Sequence, residues 1–191
     1  MGNLTQGARG CNEPILTGVI RTTVVFWMPT YFSRYLMFSP QDSARIFTVS
    51  TLAISSTAFI SVFVYEKLRS NMDLTLFIMF GSSALFFLII YFVKIPLANI
   101  VFLTLGIMAA NGASTMLWGI YCPKLTDTGM VSGATGFLDF VSYMAAGASS
   151  TIFANAVASI GWGNLILTWF GLMLIGTVVS IPKRQRTADE I

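Results

Sequence analysis

Residues 72–120 have the sequence MDLTLFIMFGSSALFFLIIYFVKIPLANIVFLTLGIMAANGASTMLWGI, and this stretch decides the fold class. It contains two apolar runs, 72–93 and 96–120. Each run is long enough for a helix that crosses a bilayer, which needs about 20 mostly apolar residues. The link between them holds Lys94, and Pro96 is tolerated in the first turn of a helix. Strands of a membrane barrel would alternate apolar and polar residues instead. The stretch therefore predicts two transmembrane helices joined by a short turn.

The same criterion, applied outward from this stretch in both directions, predicts six spans in all. They lie at about 15–36, 40–65, 72–93, 96–120, 128–159 and 164–181. Ser39 is the expected cap of the second span, because Pro40 and the first-turn carboxylate of Asp42 follow it. A polar segment, 1–14, precedes the six-helix domain, 15–182, and a charged tail, 183–191, follows it. The predicted fold class is an all-α membrane protein built as one bundle of six transmembrane helices.

The composition supports a membrane protein and excludes several kinds of site. Hydrophobic residues make up 55% of the chain and charged residues 10%, where soluble domains have about 25% charged residues. The chain has no histidine, which excludes His-ligated zinc, His-ligated haem and Ser-His-Asp catalysis. Cys11 and Cys122 have no metal-ligand spacing. We therefore expect no metal, no cofactor and no nucleic-acid partner.

The basic residues predict the orientation in the membrane. Seven of the eleven lie on the side that holds both termini, three lie on the other side, and Arg21 lies inside a span. Because cytoplasmic loops carry an excess of Lys and Arg, both termini are expected in the cytoplasm of a multi-pass protein of the cell membrane. The seven are Arg9, Lys67, Arg69, Lys124, Lys183, Arg184 and Arg186, and the three are Arg34, Arg45 and Lys94.

Two charged residues, Arg21 and Asp139, lie well inside predicted spans. Placing such a side chain at the centre of a helix costs about 2.5–3.5 kcal/mol on insertion scales. Arg21 has three interpretations: it reaches the inner headgroups, pairs with Asp139, or binds an anionic substrate. Its planar guanidinium suits phosphate, because it donates two parallel hydrogen bonds and keeps its charge. Asp139 is a candidate for structural pairing or for proton coupling.

Several small or polar residues inside spans predict helix packing. The fifth span has a small-residue face, which lets helices approach closely. Pro29 interrupts the hydrogen bonding of the first span. Polar side chains of the second span indicate contact with another helix or with water. The small-residue face comprises Gly129, Ser132, Gly133, Gly136, Gly147 and Ser149, and the polar side chains are Ser50, Ser55, Ser56, Thr57 and Ser61.

The segment RTTVVFWMPTY, residues 21–31, resembles the seventh helix of the organophosphate:phosphate antiporters, the glycerol-3-phosphate and hexose-6-phosphate transporters of the major facilitator superfamily. The family pattern is an arginine, five residues and then W-x-P-x-Y. A second block, with Pro123-Lys124 and 133–136 (GATG), is similar to the loop and start of the family's eleventh helix. Gly161-Trp162 resembles the outer loop before the twelfth. The resemblance spans about 15–181 and implies the C-terminal half of a major facilitator fold, helices seven to twelve.

The resemblance also implies a function. The family exchanges phosphate esters for phosphate and binds the phosphate between two arginines, one from each half. Arg21 matches the C-terminal arginine, and Trp27 and Tyr31 of the same block are candidate substrate-binding residues. The expected partners are the bilayer, an anionic solute and a separate N-terminal six-helix half, or a second copy of the chain. Phe26 and Asp139 depart from the family pattern and leave room for a different anionic solute or coupling ion.

Two other interpretations stay open. Residues 10–13 are polar where the family's seventh helix is apolar, which suggests a truncated gene and an inactive fragment, or a half-size protein that acts only by pairing. An intramembrane serine protease is disfavoured, because Met130 occupies the glycine position of its motif before Val131-Ser132-Gly133 and no histidine base is present. We therefore predict a transporter half rather than an enzyme.

Overall fold

The computed structural model describes residues 23–121 and 131–181, and every regular element in these ranges is a helix. In chain order they are α1 (23–34), α2 (Pro40–Ser55), α3 (Thr57–Lys67), α4 (Met72–Phe92), α5 (Pro96–Met116, continued by a π-helical turn at Leu117–Tyr121) and α6 (Val131–Val179). Among the described residues, four helical stretches are long and apolar enough to cross a membrane: Pro40–Lys67, Met72–Phe92, Pro96–Ile120 and Val131–Val179. The prediction of an all-α fold is confirmed for the described residues, and several of their helices have the length and apolar composition that crossing a membrane requires.

The second predicted span forms two helices that meet at Ser56. The Ser39 hydroxyl accepts a hydrogen bond from the Asp42 amide at 3.1 Å and donates to Asp42 Oδ2 at 2.7 Å, so the predicted cap is present. The predicted span is present as the membrane-length stretch Pro40–Lys67, with an irregularity at Ser56, where the amide is shared between the carbonyls of residues 52 and 53. Consecutive Ser and Thr residues explain the break, because their hydroxyls compete for nearby backbone groups.

Polar residues of α2 and α3 face α5, as their position in an apolar span predicts. Ser50, Thr57 and Ser61 are buried, whereas Ser55 and Ser56 are exposed. The Thr104 hydroxyl donates to Ser50 Oγ at 3.1 Å and joins α2 to α5. A methyl group on Gly112 of α5 would lie 2.8 Å from Ser61 Oγ, so the two helices are in close contact there.

Helices α4 and α5 form the hairpin that the sequence predicts, with bounds within a few residues of those expected. The Ser83 hydroxyl of α4 donates to the Gly106 carbonyl of α5 at 2.8 Å. Gly106 also lies against the side chain of Phe87, since a methyl group added to it would meet the Phe87 ring at 3.5 Å. Of the four membrane-length stretches, the two of this hairpin are the most buried.

The last two predicted spans are the two arms of α6, and the chain reverses direction between them at Gly161. Gly161 has φ 75° and ψ 170°, a conformation that is essentially restricted to glycine. The rings of Phe153 and Trp169 lie 6.1 Å apart, although 16 residues of straight helix would separate them by about 24 Å. The two arms of α6 are therefore antiparallel. The break expected at 160–163 is present, but Gly161 alone makes the turn, with helix on both sides.

The C-terminal arm of α6 packs closely on α4. The Trp169 ring lies 5.9 Å from that of Phe87 as well as near Phe153. A methyl group on Gly176 would lie 2.8 Å from Phe80 Cδ1, and Phe80 is fully buried. Glycine at this position lets the α6 backbone approach the phenylalanine ring.

Candidate functional site

The candidate site begins on α1, which carries two of the four residues that the sequence singles out. Trp27 is half-buried and Tyr31 is buried. They lie four residues apart and so share one face of the helix. Arg21 lies outside the described residues, as do the polar segment 1–14, the charged tail 183–191 and residues 122–130. The pairing of Arg21 with Asp139 therefore stays a prediction.

Tyr31 holds together the ends of three helices. Its side chain is 1% exposed, and its hydroxyl donates to Asn99 Oδ1 at 2.6 Å, near the start of α5. Its ring stacks on that of Tyr35 at 5.0 Å between centroids and meets Trp162 edge-on at 5.2 Å, beside the Gly161 turn. The hydroxyl expected to contact substrate thus donates to a side chain of the protein itself.

Asn99 is the residue of this site that sequence reasoning missed. It is 2% exposed, and its Nδ2 donates to the Val93 carbonyl at 2.5 Å, at the end of α4. The amide therefore links α1 to the turn between α4 and α5. Its sequence signal was an asparagine three residues after Pro96 in an otherwise apolar run, a residue that needs a partner when it is buried.

Three aromatic residues, Tyr35, Tyr91 and Trp162, lie at one end of the bundle. Tyr35 and Trp162 both contact Tyr31. Tyr91 lies near the same turn, because a methyl group on Gly163 would be 4.0 Å from its ring. The ends of α1, α4 and the first arm of α6 therefore meet there with the start of α5. We call the group Tyr31, Tyr35, Asn99 and Trp162 the Tyr31 cluster.

Two buried polar atoms of α1, Thr23 Oγ1 and Trp27 Nε1, have no hydrogen-bond partner among the described residues. Thr23 precedes Trp27 by one helical turn, on the same face. Buried polar groups are nearly always hydrogen-bonded, so two such atoms on one face need an explanation. A threonine hydroxyl and an indole N–H can both donate to an anionic oxygen.

Asp139, by contrast, lies on an exposed face of α6, which we call the open face of α6. Its side chain is exposed, and exposed aromatic side chains flank it at Phe137 and Phe140. Of the small-residue face predicted to pack, Gly129 lies outside the described residues, and Gly133, Gly136 and Gly147 have no close neighbour among the described residues. A methyl group added to Gly133, Gly136 or Gly147 would meet nothing within 4 Å. The geometry thus brings Trp27 and Tyr31 together on α1 and leaves Asp139 on a face that no described residue covers.

Comparisons of the chain with protein-family models, with curated proteins and with solved structures give no match. The resemblance to the organophosphate:phosphate antiporters stays a prediction.

Proposed function

We propose that this chain is the C-terminal half of a carrier of the major facilitator type, which exchanges a phosphate ester such as glycerol 3-phosphate or a sugar phosphate for phosphate. The observation that carries the proposal is the pair of buried atoms without partners on α1, Thr23 Oγ1 and Trp27 Nε1. Both can donate to the oxygens of a bound anion. At about 100° per residue they lie on the other side of a continuous helix from Arg21, so the two donors and the guanidinium would contact different parts of the solute. Arg21 would supply the charge.

The helical spacing of the first span favours an inward position for Arg21. It precedes Met28 by seven residues and Phe32 by eleven, which places all three on one face of a continuous helix. Met28 and Phe32 are buried in the bundle. An arginine on this face is expected to point towards protein or substrate rather than lipid, where its charge is costly.

The open face of α6 supports the assignment as a half. A carboxylate in a membrane-crossing helix is costly against lipid, yet Asp139 is exposed on the described chain. Gly133, Gly136 and Gly147 provide no side chain for lipid to cover, and such residues favour close approach of another helix. We infer that a second six-helix unit covers this face in the complete carrier, where transporter sites lie between repeats.

The test is phosphate exchange by membranes that contain the expressed protein with its natural partner. Arg21→Lys keeps the charge but loses the paired hydrogen bonds of the guanidinium. Hydrogen bonds to charged groups contribute about 1.5–3 kcal/mol, so exchange at low substrate concentration should fall about ten- to a hundredfold. Arg34→Lys is the matched control, because Arg34 is exposed at the far end of α1 and should leave exchange unchanged. Normal exchange by Arg21→Lys would show that Arg21 does not bind the phosphate.

A second candidate is a half-size membrane protein that transports nothing alone and acts by pairing with another six-helix unit. The same open face of α6 favours it. An immunoblot of native membranes with an antibody to the C-terminal tail separates the two candidates. A band at the 20.8 kDa of this chain supports the half-size protein, and a band at the mass of a full carrier supports the first proposal.

A further inference from the structure

We propose that Tyr31 and Asn99 form a latch that holds the end of α1 closed against the bundle and opens when water enters there. The bond between them joins residues 68 apart in sequence, with both side chains buried. Asn99 in turn donates to the Val93 carbonyl, so one hydrogen-bonded chain joins α1, α5 and the end of α4. The latch is a property of the fold, and only its purpose rests on the proposed transport function.

The local structure of α1 allows its end to move separately from the rest. Pro29 lies two residues before Tyr31 and has no N–H, so the carbonyl of Val25 receives no helical hydrogen bond from it. Helices bend most readily at such positions. The segment beyond Pro29 is short, since α1 ends at residue 34. The latch therefore fixes only the last helical turn of α1, which follows the missing hydrogen bond at Pro29.

Because the hydrogen bond between Tyr31 and Asn99 is buried, whether it forms or breaks depends on the access of water. Breaking it in a dry interior would leave Asn99 Oδ1 without a partner, at the full cost of an unsatisfied buried acceptor. Breaking it when water can replace the tyrosine hydroxyl costs much less, because water satisfies both groups. The closed state is consequently favoured while this end is dry, and opening is coupled to hydration of the cleft between α1 and α5.

The contacts of the Tyr31 ring define the closed position. Trp162 meets the ring edge-on at 5.2 Å beside the Gly161 turn, so α6 contacts the same side chain as α5. Release of Tyr31 would therefore free α1 from α5 and α6 together. Replacing Tyr31 by phenylalanine keeps the ring and its contacts and removes only the hydroxyl.

Cysteine labelling measures the opening directly. Leu103 is 1% exposed and lies one turn after Asn99 on the same face of α5, so Leu103→Cys reports exposure of the cleft. Leu76→Cys, an equally buried position on α4, reports general loosening of the bundle. Both are made with Cys11 and Cys122 replaced by serine, and a water-soluble maleimide is applied to membranes accessible from both faces.

Adding Tyr31→Phe should speed labelling at Leu103→Cys about fivefold, the effect of losing one ordinary hydrogen bond from the closed state. Labelling at Leu76→Cys should not change. Tyr91→Phe is the matched control, because it removes a hydroxyl from an exposed tyrosine at the same end of the bundle and should change neither rate. Equal acceleration at both cysteines, or none at Leu103→Cys, would overturn the latch.

A second variant tests the same bond if Tyr31→Phe fails to fold, and the two variants together make a double-mutant cycle when both fold. Asn99→Ala removes the bond from the other side and should speed labelling in the same way. The combined variant should label no faster than Asn99→Ala alone, because the shared interaction is already lost. Fully additive effects, or failure of both single variants to fold, would assign the bond to stability rather than to a latch. Since labelling needs no solute, a failed exchange assay leaves this result unaffected.

Discussion

Replacing Gly176 with alanine tests how tightly α6 packs on α4. The new methyl carbon would lie 2.8 Å from Phe80 Cδ1 and 3.0 Å from Phe80 Cγ and Cε1. Carbon atoms in contact prefer about 3.5–4.0 Å. Phe80 is fully buried, so its ring has little room to withdraw. Overpacking of this kind costs about 1–3 kcal/mol.

Helix propensity acts in the opposite direction. Alanine is favoured over glycine inside a helix by up to about 1 kcal/mol, so the net destabilisation from Gly176→Ala is about 0–2 kcal/mol. Gly171→Ala removes this ambiguity. Gly171 lies in the same arm of α6, and a methyl group there would meet nothing within 4 Å. The two variants share the propensity gain, and the difference between them is the overpacking cost alone.

The assay is thermal unfolding in mild detergent, followed by tryptophan fluorescence. For domains of 150–250 residues, 1 kcal/mol shifts the midpoint by about 2–4 °C. Gly176→Ala should therefore melt about 2–12 °C below Gly171→Ala. If Gly176→Ala melts at or above Gly171→Ala, the close approach of α6 to Phe80 is not a feature of the folded protein.

Two further substitutions test the other contacts of the bundle by the same melting assay. Gly161→Ala should lower the free energy of unfolding by about 1–3 kcal/mol, because the φ and ψ of Gly161 are essentially restricted to glycine. Gly147→Ala, in regular helix, should cause no such loss, and equal melting midpoints for the two variants would contradict the turn. Ser83→Ala should cost about 1 kcal/mol through loss of the hydrogen bond to the Gly106 carbonyl. Ser82→Ala loses only a local bond within α4 and should have the smaller effect, so a reversed order would contradict the α4–α5 contact.

The helical elements were predictable because the bilayer constrains them strongly. A run such as 72–92 has few ways to satisfy its backbone in lipid other than as a helix. The start of this run is marked by Asn71, whose side chain caps α4 by accepting a hydrogen bond from the Leu74 amide. The start of the next helix, α5, is marked by Pro96. These signals depend only on neighbouring residues, so they can be recognised in the sequence.

Which face of each helix packs against protein and which face is left open was not predictable in the same way. In a soluble protein the polar side of a helix identifies the surface, but lipid is as apolar as a protein core. The glycines of α6 illustrate the problem, because Gly176 packs on Phe80 while Gly136 has no neighbour, and both lie in similar sequence. Only the tertiary arrangement separates them.

The candidate site shows the same limit. Trp27 and Tyr31 were located by a motif, but the bond from Tyr31 to Asn99 depends on a contact across 68 residues that no local pattern encodes. The motif also gave no indication that the tyrosine hydroxyl is engaged by the protein. The break between the last two spans was predicted at 160–163, but the sequence did not indicate that Gly161 alone would reverse the chain.

The turn at Gly161 has a consequence for how the length of this chain can vary. Phe153 lies eight residues before Gly161 and Trp169 eight residues after it, and their rings are in contact. Inserting or deleting one residue within either arm would rotate everything beyond it by about 100° and move it by about 1.5 Å along the axis. Such a change would carry Trp169 away from Phe153. The link at 93–95 is not helical and can absorb a change in length, whereas the α6 hairpin is a unit whose two arms must be kept in register with one another.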